Sequence, residues 1–595
     1  MSEIATSTAP NNGLDRPTRY ALIALALLQA LALYALARIS DTGFDLRWLY
    51  GGCAVAGLLP LLFYLGCNRL YDGRNLVAAA LLGPLLFGLG WHLGWLYGPA
   101  SAGSNPPDDF IFSFALSMGL AVFVLASYLR AWSAHGRPVF RYPELLLYTH
   151  EQLFVMVLVV VFSGIAWALL VLRAALFDAI GIRLFSWLFQ QPLFLWLGHG
   201  LIAGIALAVI RSQPRLIDTL SGMTRALLRV LLVPVAAAIL LFVLALPWVG
   251  LQPIWATGQA ASLMMALSLV LLGLFAVAFL PEPKDSGYPW PLRALIWLTV
   301  VLLPINVALA GWALGLRIDQ HGLSVDRLWA GISLLLIAAY ALGYAVVILC
   351  SPAKASARLQ RLNVVLGLVV AGTLILVNTP MGDLRALSAH DQARRLLESR
   401  TAPERFDYAY LRHELGPYGM AELKRLRDSD FAAEHPLAAQ RIAGVLKNST
   451  AAAPGPALDA HDPEAVAAAF DIVPNDVRVP AQVVKLAVQA RPRCLRSPEH
   501  CRLVRAAHPQ MTFWWVISRS GGNNRYGTAF AEVDGRWQRI GSVVSRGCRD
   551  EGASQDNDPT APHALSGPFV AFSDEQCVYV IDPSANFLTQ IVALR

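Results

Sequence analysis

Apolar residues occupy the first two thirds of the chain in long blocks separated by short polar breaks. A helix rises about 1.5 Å per residue, so roughly 20 consecutive apolar residues cross the hydrocarbon of a bilayer. Blocks of that length lie near 20–38, 48–67, 76–97, 110–132, 152–173, 186–210, 227–249, 261–280, 293–315, 328–350 and 362–378. The block at 186–210 is interrupted by Gln190, Gln191, Pro192 and His199, and 174–186 reads as a short interfacial helix. The pattern predicts a polytopic α-helical membrane bundle of about eleven transmembrane helices over 20–378, behind a tail over 1–19. Ala35-Leu36-Ala37 resembles a signal-peptide cleavage site. The apolar run before it, about 18 residues, exceeds the usual 7–15 of a signal peptide's core, so it reads as an uncleaved first helix.

The pattern changes after residue 378. Residues 388–400 (SAHDQARRLLESR) have helical spacing, with Ser388 as the expected N-cap and Asp391 in the first turn. A second helix is expected over ERFDYAYLRHEL, ended by Gly416-Pro417, and MAELKRLRDS and HPLAAQRIAGVLK follow as amphipathic segments. These form a helical segment over 379–450. An Ala- and Pro-rich linker at 451–460 separates it from 461–595. In that last part the period shortens. MTFWWVIS, YGTAFAEV, RWQRIGSVV, PFVAFS, CVYVI and LTQIVAL read as strands, with Asp534-Gly535 as a hairpin turn. Phe513-Trp514-Trp515 reads as core, GGNNRYG as a candidate binding loop, and 549–566 as a polar loop. The expected fold is an α+β domain rich in antiparallel strands.

Composition agrees with the pattern: 56% of residues are hydrophobic and 15% charged, against roughly 45–50% and 25% in soluble domains. The net charge of +7 does not indicate nucleic acid, because the basic residues are scattered among short loops. There they set orientation. Arg16 and Arg19, Arg69 and Arg74, Arg130, Arg137 and Arg141, Arg211 to Arg229, Lys284 and Arg293, and Lys354 to Arg361 fall on one side, while the opposite loops 98–109 and 250–260 carry no Lys or Arg. By the positive-inside rule the N-terminus is cytoplasmic and the C-terminal domain lies outside, in the periplasm.

Cysteine usage fits that placement. Cys53, Cys67 and Cys350 lie in or beside apolar blocks, whereas Cys494, Cys501, Cys548 and Cys577 all fall near the C-terminus. An even set outside the cytoplasm reads as two disulfides, with Cys494–Cys501 and Cys548–Cys577 the expected pairing. The competing four-cysteine metal site lacks any CxxC pair.

Ionisable and polar residues at membrane depth are costly and are candidates for function. His92, His199 and Asn306 lie inside blocks, and Glu151 begins the fifth. Two intramembrane histidines suit haem ligation, and equally each can bond to a neighbouring helix. At the outer face, Asp41, Asp45, Asp108 and Asp109 are the acidic clusters near the membrane, and Asp108, Asp109, Arg317 and His321 are the candidates for a site there, with Ser324 a helix cap after His321. No nucleophile elbow, phosphate loop or HExxH motif occurs. No cofactor is expected.

Two stretches carry a resemblance. LRIDQHGLSVDRLWAGISLLLIAAYALGYA at 316–345, and NTPMGDLRALSAHDQARRLLESR followed by TAPERFDYAYLRHELGPYGMAELKRL, resemble the bacterial family called domain of unknown function 4153. The resemblance spans roughly residues 20–430. It implies a multi-pass protein of the bacterial cytoplasmic (inner) membrane, with no established activity and no catalytic residue to transfer. Three readings follow. The preferred one is a non-enzymatic anchor or sensor of the cell envelope that meets the lipid bilayer and an envelope protein or lipid-linked molecule. The alternatives are a transporter or flippase of an apolar or lipid-linked substrate, and a membrane transferase acting on a lipid-linked donor.

Overall fold

In the computed structural model, residues 14–583 are described except 41–43, 68, 70, 71, 98–107, 183, 251–259, 281–287, 405, 448–469, 474–476, 478, 490–500, 509–510, 519–525, 534–535, 547–562, 566–570 and 574–577. The chain divides into two compact units, Met1–Ala451 and Ala452–Arg595.

Eleven helices of the first unit are long and apolar enough to cross a membrane. In chain order the helices are α1 (Arg16–Ser40), α2 (Leu46–Gly66), α3 (Gly73–Leu96), α4 (Asp108–His135), α5 (Tyr142–Ala179), the short α6 (Leu184–Phe189), α7 (Pro192–Arg211), α8 (Pro214–Val249), α9 (Ala260–Leu274), α10 (Trp290–His321), α11 (Val325–Cys350) and α12 (Ala355–Leu376). All but α6 are spans, and the chain is a multi-pass membrane protein. Its flanks display apolar side chains, as a surface that meets lipid does: Val160, Leu172, Val230 and Leu241 are exposed.

Helix starts follow from local chemistry. Asp45 Oδ1 accepts from Arg47 N (2.9 Å) ahead of α2, and Ser324 Oγ accepts from Arg327 N (3.3 Å) ahead of α11. Pro192 and Pro214 open α7 and α8, where a missing N–H costs nothing. Two boundaries differ from expectation. Helix α5 runs for 38 residues, about 57 Å, against an apolar core of about 30 Å, so its ends project past the hydrocarbon. The interfacial helix expected at 174–186 is instead the end of α5 followed by α6 at Leu184–Phe189. Helix α9 continues as a π-helical turn, Phe275–Phe279. The carbonyls there take outside donors: Tyr142 OH bonds Ala276 O (2.7 Å) and Gln360 Nε2 bonds Leu280 O (3.2 Å).

Close approach between spans rests on small residues. A Cβ on Gly200 of α7 would lie 2.7 Å from Ala30 Cβ and 2.8 Å from Ala26 O of α1. Gly200 and Gly204 face Ala26 and Ala30, a small-xxx-small contact in each helix.

Among the described residues of the first unit, five helices follow the last span: α13 (Leu384–Leu397), α14 (Tyr408–His413), α15 (Gly416–Arg427), α16 (Asp430–Glu434) and α17 (Pro436–Lys447). Leu396, Leu411, Leu415, Leu423, Leu426 and Ile442 form their shared core. Asp383, rather than Ser388, caps α13, and its Oδ1 accepts from Arg385 N at 2.9 Å. Ser388 lies within the helix and donates to Leu323 O (2.9 Å), a tertiary bond that local spacing does not reveal. Gly416-Pro417 ends the region of α14 and also begins α15, with Gly416 at φ 57°.

The described residues of the second unit form one sheet with a helix. Strands are β1 (Phe470–Val473), β2 (Cys501–His508), β3 (Met511–Ser518), β4 (Tyr526–Val533), β5 (Arg536–Arg546), β6 (His563–Leu565), β7 (Ala571–Ser573) and β8 (Val578–Pro583), and α18 (Ala481–Gln489) follows β1. The order is β1-β2-β3-β4-β5-β8-β7-β6, and β6 also meets β2 at Ala507↔His563. Most pairs are antiparallel, including Val533↔Arg536 at the expected hairpin; β1–β2 and β2–β6 are parallel. Phe513, Trp514 and Trp515 are all buried, so both faces of β3 are covered, and Trp514 packs with Val483 and Val484 of α18. Cys494, Cys548, Cys577 and the expected strand LTQIVAL lie outside the described residues. Cys501 opens β2.

Candidate functional site

Helix α3 ends in GWHLGWL, and His92 in that last stretch is buried. Its Nε2 lies 3.0 Å from Asp383 Oδ2. Asp383 stands between the last span and α13. One of its oxygens meets the imidazole and the other caps the helix. Arg385 Nη1 lies 3.6 Å from the same Oδ2, and its guanidinium carbon lies 4.0 Å over the Phe110 ring. Asn378 donates to Ser117 Oγ at 2.9 Å. His92, Asn378, Asp383 and Arg385, with Phe114, Val325 and Trp329, line a partly open cavity of about 40 Å³. Water needs on the order of 10–15 Å³ by this measure, so the space takes a few waters and no larger molecule.

The site continues outward. Trp95 stacks on His92 and meets Tyr418 edge-on at 5.5 Å. Burial foremost, with the Asp383 carboxylate adding to it, pushes the Tyr418 phenol up to about 12, so it stays neutral through the physiological range.

Helix α13 also clasps the turn between α10 and α11. Asp391 Oδ2 accepts from Leu323 N (2.9 Å), Gln392 Nε2 donates to Leu323 O (2.9 Å), and Arg395 Nη2 donates to Asp319 O (2.5 Å). Arg395 thereby places a cation at the carbonyl end of α10, where the helix dipole favours it. Gly322 makes the turn possible. Its φ is 72°, and a Cβ there would lie 2.7 Å from Gln392 Nε2 and 2.8 Å from Arg395 Cδ.

A family described as a domain of unknown function (DUF4153) matches residues 22–426. The chain belongs to this family. Comparison with curated proteins and with solved structures gives no match. The DUF4153 region thus holds both halves of the site, His92 at one end of the sequence match and α13 at the other.

The residues singled out from sequence are dispersed. Among those with described side chains, His92 alone lines the Asp383 cavity. His321 is exposed, and its carbonyl, not its ring, is what Gln392 and Arg327 contact. Arg317 lies one turn earlier in α10. Asp108 and Asp109 begin α4, and their side chains are outside the described set. Glu151 pairs with Arg130 at the opposite end of the bundle, and the Arg130 guanidinium lies 4.5 Å over Tyr148. Asn306 joins two spans through Met264 O (3.1 Å) and Ser268 Oγ (2.8 Å). His199 donates from Nδ1 to Leu195 O (2.8 Å) and stacks on Trp167. The structure does not bring the two intramembrane histidines together, since they line separate cavities. Among the described residues no group of three His, Cys, Asp or Glu side chains is placed to hold a metal.

Sequence reasoning did not single out Asp383, Arg385, Gln392 or Arg395. Gly382-Asp383 directly before a helical period was the available signal for a cap. Replacing Arg395 by methionine keeps its bulk and removes its donors to α10. The expected cost is about 2 kcal/mol, read as a lower melting temperature in detergent and faster amide exchange over 316–327.

Proposed function

We propose that this DUF4153 protein is a non-enzymatic anchor or sensor of the bacterial inner membrane, in which the bundle carries helices α13–α17 as a rigid platform for a partner. One observation carries the reading. Asp391, Gln392 and Arg395 of α13, with its cap Asp383, are spent on the end of α3 and on the turn between α10 and α11, while Leu387, Leu397 and Leu437 are left exposed on the platform. A contiguous apolar patch outside a membrane marks a contact surface, and these three leucines are the side chains that would form one. The distribution of Lys and Arg supports a cytoplasmic N-terminus, which puts the platform and the sheet unit in the periplasm.

The test uses a photo-reactive residue at 387, 397 or 437 of the full chain in living cells, with Glu398 and Arg425 as polar controls. A crosslinked protein of constant mass from the apolar positions, absent from the controls, is expected. Lipid adducts alone at every position would contradict a partner-binding platform. Alkaline phosphatase fused after residue 380 should be active; an inactive fusion would reverse the orientation.

A further inference from the structure

A second cavity, of about 380 Å³, opens on the flank of the bundle between α1, α2, α5 and α7. Its volume falls in the 300–1,000 Å³ range of ligand sites. Most of its wall is apolar, including Leu33, Leu61, Val155 and Leu207. Val160 and Trp196 line it and are exposed, on the side of these spans that would meet the bilayer.

Three polar side chains enter this wall, and their bonding leaves acceptors. His199 donates its Nδ1–H to Leu195 O (2.8 Å), so Nε2 of the neutral ring is an acceptor. Gln29 donates from Nε2 to Ala56 O (3.0 Å) and Gly57 O (3.1 Å), so its N–H groups are spent. Tyr64 OH donates to Gln29 Oε1 (2.7 Å), and its oxygen keeps a lone pair. Gln29 lies midway along α1, and Gly200, next to His199, packs against Ala26 and Ala30. The acceptors therefore sit near the middle of the span. Among the described residues no Lys or Arg lines the cavity, so a phosphate or carboxylate would be buried there without a counter-charge from them.

We propose that this cavity binds a neutral lipid carrying a hydroxyl donor: a long-chain or isoprenoid alcohol, or a diacylglycerol. The apolar wall holds the chain, and the hydroxyl donates to His199 Nε2, the acceptor that no protein donor occupies. The proposal is independent of what the platform binds.

The test places the full chain in nanodiscs of neutral phospholipid with a diazirine- and alkyne-bearing hexadecanol. Labelled peptides from α1 and α7 are expected. Unlabelled hexadecanol should compete roughly five- to tenfold better than its methyl ether, the worth of one hydrogen bond. Isoprenoid alcohol and diacylglycerol, run as separate competitors, rank the sources. His199→Phe should retain labelling and lose most of that ratio, and Ala203→Phe should remove labelling by filling the cavity. Equal competition by alcohol and ether in the unaltered protein would overturn the proposal. So would labelling that survives Ala203→Phe. If that variant does not fold, the ratio in His199→Phe decides.

Discussion

Replacing Asp383 by alanine should detach the start of α13 from the bundle. The carboxylate holds His92 at 3.0 Å and caps α13 through Arg385 N at 2.9 Å. Loss of a cap costs about 1 kcal/mol, and a buried imidazole left without its partner costs roughly 1–3 kcal/mol. Arg385 also loses its nearest acid, 3.6 Å away. A destabilisation of about 2–4 kcal/mol is expected, read as an earlier thermal transition in detergent and as faster amide exchange over 384–390. Asp383→Asn separates the contributions. Asparagine caps as well as aspartate and can still bond the imidazole, so it should recover most of the loss. An asparagine variant as unstable as the alanine one would show that the charge itself is required.

The second large effect is expected at Gly94. Helix α3 passes so close to α2 that a Cβ at this position meets backbone, with Arg47 Cα at 2.6 Å and the Leu46 carbonyl nearer still. Neighbouring Gly90 is as tight, 2.7 Å from Ala54 Cβ and 2.9 Å from Gly51 Cα. Backbone cannot rotate aside as a side chain can, so Gly94→Leu must part the two helices. The cost is about 3 kcal/mol or more, and it should lower the yield of monodisperse protein in detergent. Gly88, with nothing within 4 Å of its Cβ position, is the internal control. Gly88→Ala should be neutral or slightly stabilising, because alanine favours helix over glycine. Equal damage at both positions would contradict the close approach.

The spans were legible because a bilayer demands an unbroken apolar run, which composition cannot hide. Their true ends were less legible. The first turns of α5, from Tyr142 to Glu151, are polar enough to look like a loop, yet they are helical and pair Glu151 with Arg130. Strands β3, β4 and β5 could be read from their aromatic and β-branched residues. Strand β2, CRLVRAAH, was missed because its arginines break the run, and its partner β1 adds parallel pairing that no local turn announces.

The candidate site was half legible. His92 stands out as a polar residue in an apolar block. Asp383 does not, since it looks like an ordinary loop acid, and its partner is 291 residues away. The two stretches carrying the family resemblance prove to touch: Asp391, Gln392 and Arg395 of one hold the Gly322–Leu323 turn of the other. Sequence displayed both segments and gave no sign that they meet. The Gly200–Gly204 spacing was visible too, but it gains meaning only once α1 is found opposite.

The platform's attachment to the membrane bundle is tested most directly by amide hydrogen exchange on the full chain in lipid nanodiscs. Residues 386–397 are expected to exchange about as slowly as the adjoining start of α11. Exchange over 386–397 within seconds, while α11 stays protected, would contradict a platform fixed to the bundle.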